Sequence, residues 1–413
     1  MRLTVFCPHF APDVAPTGTV ATRIVEELGA LGHELHVVTA LPWYREHRIE
    51  PGFEGKLVRH EDTPWGRVSR VHPFPVSDKT DILRRAAAFG GFSVLSALVG
   101  VKKQETDGVL AMSPPLTLGL TGWFAARRAG VPFVFNVQDV YPDVAVELGV
   151  LTNERVIAAA RRLERFCYGR ADAVTVLSED LKANLAAKVA DPYKVRVIPN
   201  FVDTDSIRPA PKDNAYRHEH GLVGKTVVMY AGNVGFSQSL ELVIDAAGAL
   251  AHDDSLVFVI NGNGSARAAL QDKARGLTNV VFVDMQPSER LPEVLAAADL
   301  HLVPLKRNLA RASVPSKTLS ILAAGRPLLA SVDPGSEVAR ICARSGAGVA
   351  VEPEDAEAFT KAVAELVAAP DRLEEMGRAG RTFVESWASP RAVARAYEAL
   401  FDELRAGWDG GPA

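Results

Sequence analysis

The sequence predicts two doubly wound α/β domains in tandem, and three observations support this fold class. Short β-rich runs alternate with helical patterns along the chain, as they do in proteins with parallel sheets. The alternation stops at a stretch rich in Pro and Asp, from Asp203 to Asn214, and then begins again. The chain has 413 residues, of which 47% are apolar, so it is too long for one ordinary core and can fill two.

The expected elements follow in order on both sides of this stretch. The first set of strands is Leu3–Cys7, Glu34–Thr39, Gly108–Met112, Phe133–Val137, Ala173–Leu177 and Val195–Ile198. Helical patterns between them include Thr19–Leu31, Leu116–Ala129 and Glu154–Arg170. The second set of strands is Thr226–Ala231, Leu256–Asn261, Val280–Val283, Leu300–Pro304 and Pro327–Ala330. The second set of helices includes Leu240–Ala251, Ser288–Ala297 and Ser316–Ala324.

The domain boundary is expected inside the Pro- and Asp-rich stretch. The first domain would span 1–205 and the second 206–387, with a C-terminal helix at about 388–413 that packs back on the first domain. Ligands of open α/β sheets bind beyond the carboxyl ends of the strands. Two such domains that face each other across a cleft would therefore form one ligand site between them.

Composition and charge narrow the class of protein. A net charge of −4 provides no basic excess for binding nucleic acid. The three cysteines, Cys7, Cys167 and Cys342, fit no metal spacing or disulfide framework, so we expect reduced core residues of a cytosolic protein. Met1-Arg2 leads directly into a short strand-like run, unlike a secretory signal peptide, and we expect a cytoplasmic location.

A single segment, residues 82–104, suggests contact with a membrane. Its 16-residue charge-free run lies between Arg84-Arg85 and Lys102-Lys103, and is shorter than the roughly 20 apolar residues of a spanning helix. The run fits a buried helix of the α/β domain. It also fits a surface helix with basic flanks that contacts the inner face of the cell membrane.

Three loops between a strand and a helix are candidate anion sites. Such loops offer free backbone N–H groups and the positive end of a helix dipole, and small residues let a phosphate approach. The three loops are Thr17-Gly18-Thr19, Gly232-Asn233-Val234-Gly235, and the SVPSK segment that ends in Lys317. Because they occur in both domains, we predict a diphosphate ligand in the cleft. Neither a complete G-x-G-x-x-G nor a Walker-type motif is present, which argues against dinucleotide enzymes and nucleotide hydrolases.

Several longer motifs resemble a known family. The motifs are YAGNVG with a following Gln, GNGSARAAL, SVPSKTLSILAAGRPLLASVDPGSEV, SPPLTLGL and VQDVYPDVAVELGVL. Together with the tandem layout they resemble the family 4 glycosyltransferases of the GT-B fold. They look most like the subgroup that builds colanic acid, O-antigen, exopolysaccharides and related lipopolysaccharide components. The resemblance extends from Pro8 to about Trp387.

The resemblance implies a retaining hexosyltransferase-type enzyme that needs no metal and no other cofactor. Its C-terminal domain would bind a nucleotide diphosphate sugar, expected to be UDP-linked, and its N-terminal domain a lipid-linked or glycan acceptor. Lys317 would neutralise the charge that grows on the leaving diphosphate. The expected donor-binding residues are Gly18, Thr19, Gly232, Asn233, Gln238, Gly262, Gly264, Met285, Ser313, Val314, Ser316, Lys317 and Ser320.

The chain departs from the family pattern around the same helix. Many members carry two glutamates eight residues apart, where this chain has Ala312 and Ser320. Many also carry Arg and Lys where this chain has Asn233 and Gln238, which donate hydrogen bonds without charge. Ala312 and Ser320, together with Gln138 in the first domain, motivate a second hypothesis: a catalytically reduced GT-B protein that binds a nucleotide sugar or a partner enzyme without transfer.

The acceptor side is expected in the loops of the first domain. The family often places a catalytic His where this chain has Gln138, so the neighbouring Asp139 is the candidate for base-like or orienting work. Asp139 also fits a capping or loop-bracing role. His9, Thr17, Gln138 and Tyr141 are the expected acceptor contacts, although a lone His such as His9 is often structural.

The triplet Asp203-Thr204-Asp205 resembles an Asp-x-Asp motif that binds a metal ion. Its position in the expected linker predicts turn formation instead.

Overall fold

The computed structural model describes residues 1–75, 82–100, 106–147, 149, 151–307 and 316–408. These residues form two compact units. One unit comprises Met1–Asn200 and the chain from Pro390 onward, and the other comprises Phe201–Ser389.

The first unit is built on one sheet whose strands are rich in buried β-branched residues. Its strands are β1 (Arg2–Phe6), β2 (Glu34–Ala40), β3 (Val58–Thr63), β4 (Gly66–Val71), β5 (Gly108–Ser113), β6 (Phe133–Val137), β7 (Ala173–Val176) and β8 (Val195–Val197). The order across the sheet is β3-β4-β2-β1-β5-β6-β7-β8. Every neighbouring pair is parallel except β3 and β4, which form an antiparallel edge. The predicted strands are thus confirmed within about two residues, and the β3–β4 edge was missed.

Helices cover the faces of this sheet. They are α1 (Pro16–Ala30), α2 (Ile82–Gly100), α3 (Leu118–Ala129), α4 (Asp143–Glu147), α5 (Glu154–Arg170) and α6 (Glu179–Ala186). Central strand residues such as Val109, Val134 and Val174 are fully buried between the helices, as expected for a parallel sheet covered on both faces.

The second unit contains an entirely parallel sheet. Its strands are β9 (Thr226–Ala231), β10 (Leu256–Asn261), β11 (Val280–Val283), β12 (Leu300–Pro304), β13 (Leu328–Ser331) and β14 (Gly348–Val351), in the order β11-β10-β9-β12-β13-β14. Its helices are α7 (Ala215–Glu219), α8 (Glu241–Ala249), α9 (Arg267–Lys273), α10 (Leu291–Ala296), α11 (Ser316–Ala323), α12 (Glu337–Ser345), α13 (Ala356–Val367) and α14 (Pro370–Trp387). The predicted doubly wound α/β class is confirmed for both units.

The last helix, α15 (Pro390–Ala406), belongs to the first unit, where it packs against α1. Its Tyr397 is buried, and the Tyr397 hydroxyl accepts a hydrogen bond of 2.9 Å from Asn136 Nδ2 at the centre of the sheet. The chain changes units between Asn200 and Phe201, slightly before the expected 205/206. The reason is that the Val202 N–H already donates to the Ala388 carbonyl of the second unit, at 3.0 Å.

Helix α2 carries most of the segment for which the sequence left two interpretations. Phe92 is buried in the core of the first unit, whereas Val94 and Leu98 are 62% and 67% exposed. One side of the helix therefore packs inward and another carries exposed apolar residues. Residues 101–104 lie outside the described part of the chain. In that part, no helix has both the length and the apolar character required to span a bilayer.

The three cysteines are buried and free, which confirms their predicted place in the core. Burial raises the pKa of the Cys7 thiol to about 12, and the pKa values of Cys167 and Cys342 are raised for the same reason.

Candidate functional site

The first unit contains a pocket of about 530 Å³ at the carboxyl edge of its sheet. Loops that follow five adjacent strands, β4, β2, β1, β5 and β6, contribute to its lining, and Phe89 of α2 also contributes. Four residues predicted for the acceptor side and for catalysis line it together: His9, Thr17, Asp139 and Tyr141. The fold thus brings together residues that are far apart in the sequence.

The pocket is rich in aromatic side chains and poor in cations. Trp43 and Tyr44 follow β2, and Phe74 follows β4. The described lining contains no Lys or Arg. The flat aromatic rings can pack against a ligand that has an apolar face. The remaining polar side chains can form hydrogen bonds with neutral polar groups at the edge of that ligand.

His9 is fixed in this pocket by a buried carboxylate. Its Nδ1 lies 2.7 Å from Asp13 Oδ2, and the Asp13 side chain is fully buried. The second oxygen, Asp13 Oδ1, accepts the Tyr44 N–H at 3.2 Å. The His9 ring also packs against the rings of Trp43 and Tyr44, with centroid distances of 5.6 and 5.3 Å.

The predicted anion loop of the first unit forms the start of α1. The N-cap residue Ala15 provides no side-chain cap, and Thr17 lines the pocket. Gly18 is required by packing, because a Cβ there would lie 2.8 Å from the His9 Cβ. Thr19 is exposed, and its hydroxyl donates to the Ala15 carbonyl of its own helix. Neither Gly18 nor Thr19 is among the described lining residues, so their contact with the donor stays a prediction.

Gln138 and Asp139 lie beside each other after β6 but in different surroundings. Gln138 is buried; its Nε2 donates to Asn136 Oδ1 at 2.7 Å and its Oε1 accepts from Asn200 at 2.9 Å. Both ends of this amide are therefore engaged within the protein. The Asp139 carboxyl lines the pocket, where partial burial raises its pKa. A raised pKa makes a carboxylate a stronger base near neutral pH.

The second unit presents Lys317 at the carboxyl edge of its own sheet. Lys317 is the second residue of α11, and its Nζ donates to the Tyr230 hydroxyl at 2.8 Å while lying 4.1 Å from the centre of the Tyr230 ring. Tyr230 in turn donates to the Asn233 carbonyl at 2.5 Å. Among the described residues, no carboxylate pairs with Lys317. Burial lowers the pKa of this ammonium to about 8.

Glycines pack the surrounding loops tightly. Gly232 has a φ of 144°, and a Cβ there would lie 3.1 Å from Lys317 Nζ. A Cβ on Gly262 would lie 1.8 Å from the Gly232 carbonyl oxygen, and one on Gly264 would lie 2.2 Å from that of Val234. The close approach predicted at Gly262 and Gly264 is made by the neighbouring loop, and a contact with a ligand at these glycines stays a prediction.

The loop after β9 is closed by its own side chains. Gln238 Oε1 accepts the Gly235 N–H at 3.1 Å, and the Asn233 side chain lies over Gly235. Asn233 itself is exposed. Neutral amides therefore shape the loop beside Lys317.

The segments after β10 and β11 are joined by Arg267. This side chain donates to the Gly262 carbonyl at 2.5 Å and forms an ion pair of 2.8 Å with Asp284. The next residue, Met285, is 47% exposed. The segment that carries the predicted donor contact Met285 thus lies next to the Gly262 loop.

The remaining predicted donor contacts lie on or before α11. Ser313 and Val314 lie outside the described residues, as does Ala312, and nothing is described of the Ser316 side chain. Ser320 is partly buried on α11, one turn after Ser316. Their contacts with a donor stay predictions.

The turn predicted at Asp203 is confirmed. Asp203 Oδ1 accepts the Asp205 and Ser206 N–H groups, at 2.9 and 3.1 Å, and Oδ2 accepts the Ser206 hydroxyl at 2.7 Å. Across the described ranges, no group of three or more His, Cys, Asp or Glu side chains could hold a metal ion.

Comparison with known proteins identifies the family. Residues 17–200 match the model described as "Glycosyl transferase 4-like domain", and residues 225–369 match "Glycosyl transferases group 1". Probable glycosyltransferase WbjE of Pseudomonas aeruginosa is 30% identical over 302 residues, which are 71% of this chain and 74% of WbjE. The chain belongs to the family 4 glycosyltransferases of the GT-B fold.

Other relatives of this glycosyltransferase agree with the resemblance seen in its sequence. The putative colanic acid biosynthesis glycosyl transferase WcaI of Escherichia coli (strain K12) is 29% identical over 385 residues, 90% of this chain and 93% of WcaI. The crystal structure of HepE from Anabaena in complex with UDP matches with a TM-score of 0.62 and 14% identity, over 98% of this chain and 100% of HepE. At that identity the likeness to HepE shows the fold alone.

Several site residues of this glycosyltransferase were missed in the sequence. They are Asp13, Trp43, Tyr44, Phe74, Tyr230 and Arg267. The spacing of His9 and Asp13 was a usable signal, because a buried carboxylate often orients a His. Tyr230 had no comparable signal, because an aromatic residue near the end of a strand is ordinarily interpreted as part of the hydrophobic core.

Proposed function

We propose that this chain is a retaining hexosyltransferase that moves a sugar from a nucleotide diphosphate sugar, UDP-linked, to a lipid-linked or glycan acceptor in cell-surface polysaccharide biosynthesis. The observation that carries the proposal is the partly buried Lys317 ammonium at the carboxyl edge of the second sheet, which has no carboxylate partner in the described chain. The names of WcaI and WbjE support the polysaccharide context, and the UDP bound to HepE supports the nucleotide.

Lys317 would act on the leaving group. A buried ammonium is costly without an anion, so the diphosphate would serve as its counter-ion. As the bond to the sugar breaks, negative charge grows on the diphosphate, and a fixed cation stabilises that charge more than it stabilises the ground state. Gly232 leaves space for Nζ at this position, and Tyr230 limits its movement.

Asp139 would act on the acceptor. The pocket of the first unit would hold the acceptor sugar against its aromatic rings, and the Asp139 carboxyl would orient or deprotonate the attacking hydroxyl. Thr17, His9 and Tyr141 line the same pocket and would provide further contacts. Gln138, whose amide is engaged on both sides, would support the Asp139 loop rather than reach the acceptor.

Transfer would not require a metal ion. In this proposal the charge on the diphosphate is balanced by Lys317 and by the positive end of the dipole of α11, which makes a divalent cation dispensable. EDTA should therefore leave the rate unchanged. Loss of turnover with EDTA and its recovery with Mg²⁺ or Mn²⁺ would contradict this part of the proposal.

The protein would work in the cytoplasm at the inner face of the cell membrane. The exposed Val94 and Leu98 of α2, together with the basic residues that flank its charge-free run in the sequence, fit a peripheral contact with anionic lipid. Cosedimentation with vesicles that contain anionic lipid should fall when both residues are changed to Ser. Unchanged binding would rule out α2 as the contact.

A panel of nucleotide sugars tests the function itself. Thermal shift would identify the nucleotide, and transfer to glycan and lipid-linked acceptors would then be followed by NMR, where the anomeric coupling of the product reports retention. Inverted product would refute the retaining mechanism.

Ser320 favours the second candidate, a binding protein without transfer, because a serine forms a weaker ribose contact than a carboxylate. Stabilisation by a nucleotide sugar without turnover on any acceptor would favour that candidate.

A further inference from the structure

The hydrogen-bonded His9 and Asp13 have features that a purely structural pair would not require. Asp13 is fully buried, and it places one oxygen on the His9 ring and the other on the Tyr44 backbone. His9 keeps part of its side chain exposed, at 12%, and lines the aromatic pocket. A buried carboxylate therefore orients a ring that is still partly exposed in the pocket.

The chemistry of the pair fixes the hydrogen-bonding character of the ring. A carboxylate only accepts hydrogen bonds, so the proton of a neutral imidazole must lie on Nδ1, which is the atom that faces Asp13. Nε2 then carries a lone pair and acts as an acceptor. In the described part of the chain, no protein group donates to Nε2.

The surroundings of His9 indicate what would donate to Nε2. The described lining contains no Lys or Arg that could hold a phosphate, whereas the rings of Trp43 and Tyr44 stand beside His9. A sugar ring combines an apolar face, which can lie on an aromatic ring, with hydroxyl donors at its edge. A neutral sugar therefore fits this pocket better than a phosphate or a carboxylate.

We propose that Asp13 is a positioning residue that holds His9 with Nε2 ready to accept a hydrogen bond from a hydroxyl of a neutral sugar bound in this pocket. The inference rests on the proposed function, because that sugar would be the terminal residue of the acceptor. Asp13 itself would not touch the sugar. It would act through His9, and Asp139 would contact the acceptor from the loop after β6.

Asp13→Asn reverses the hydrogen-bonding character of His9 with little change in shape. The single amide oxygen of Asn would accept the Tyr44 N–H, so the amide NH₂ would face Nδ1 and donate to it. The His9 proton would move to Nε2, which could then no longer accept from a hydroxyl. A comparable substitution in the Ser-His-Asp triad of serine proteases lowers activity through the wrong tautomer.

The test combines kinetics with a direct observation of the ring. At saturating donor, Asp13→Asn should lower kcat/KM for the acceptor by roughly tenfold or more and leave UDP affinity unchanged. In a His9→Ala background the same substitution should change the rate by less than about twofold, because its effect passes through His9. Asp172→Asn is a matched control: Asp172 also accepts a backbone N–H, from Phe133 at 2.7 Å, and its substitution should leave the rate unchanged.

Long-range ¹H–¹⁵N NMR of the imidazoles reports which ring nitrogen carries the proton, and this result does not depend on sugar transfer. The His9→Ala variant assigns the His9 signals. Wild type should carry the His9 proton on Nδ1, and Asp13→Asn should carry it on Nε2. A wild-type proton on Nε2 would overturn the proposal even if the enzyme transfers sugar. An equal loss of rate from Asp13→Asn with and without His9 would also overturn it. Absence of transfer by wild type, with the expected tautomers, would refute the proposed function instead.

Discussion

The two candidate sites lie at equivalent places, where parallel strands end, but the side chains delivered there differ. The pocket of the first unit has aromatic rings, two histidines, His9 and His47, and an acidic group, and its described lining has no Lys or Arg. The site of the second unit has a partly buried lysine among glycines and neutral amides. The same architecture thus presents mainly aromatic and neutral groups in one unit and a partly buried cation in the other.

This difference separates what the fold determines at a site from what individual loop residues determine. A parallel sheet fixes where its loops converge, and the identity of a few loop residues decides the charge of the ligand. A substitution in one site should therefore affect the binding or transfer of the ligand assigned to that site and leave the other ligand unaffected.

The largest effect is expected for Lys317→Ala. Removal of a preorganised cation at the leaving group should lower turnover by roughly 10²–10³-fold, while circular dichroism and melting temperature stay close to wild type. Lys361→Ala is the matched control, because Lys361 is exposed on α13, and its turnover should not change. Normal turnover of the Lys317 variant at saturating donor would remove it from the diphosphate site.

A smaller change is expected for Ser320→Glu. If position 320 faces the donor ribose, the new carboxylate should accept hydrogen bonds from two hydroxyls and strengthen nucleotide binding by about 1–3 kcal/mol. Calorimetry with UDP checks this. Weaker binding would mean that the carboxylate lies beside phosphate, and Ser320 would no longer be considered a ribose contact.

The rate should also fall at alkaline pH. In the proposed mechanism the protonated form of Lys317 is the active one, and burial lowers its pKa to about 8. As pH rises above this value, kcat/KM for the donor should decrease by up to about tenfold per pH unit. The nearby His301 and Tyr230 do not titrate in this range, because burial lowers the pKa of His301 to about 4 and raises that of Tyr230. Lys317→Arg should abolish the alkaline limb, and persistence of that limb would assign it to another group.

The smallest effect is expected for Tyr230→Phe. The ring remains beside the ammonium, but the hydroxyl that accepts from Nζ at 2.8 Å is lost. Donor affinity should fall by about 1 kcal/mol, and the alkaline limb should move to lower pH because the charged form loses a hydrogen bond. A limb that moves to higher pH would contradict the assigned contact.

The sequence predicted what depends on local pattern and missed what depends on the fold. Buried strands such as β9 and β10 were found because their apolar runs are continuous, whereas β3, with the sequence VRHEDT, is a polar edge strand without such a run. Lys317 and the Gly232 loop were predicted because a strand-to-helix loop is a local feature, and their contact with a donor stays a prediction. The aromatic pocket was missed because Trp43, Phe74 and Phe89 lie in separate segments that only the sheet brings together.

Calorimetric titration of UDP into wild type, Lys317→Ala and Trp43→Ala tests the division of work between the two sites most directly. Lys317→Ala should bind UDP roughly tenfold more weakly or worse, because a charge-assisted contact is lost. Trp43→Ala should bind UDP as tightly as wild type, although its transfer to the acceptor is impaired. Equal loss of UDP affinity in both variants, or full affinity in Lys317→Ala, would contradict the account.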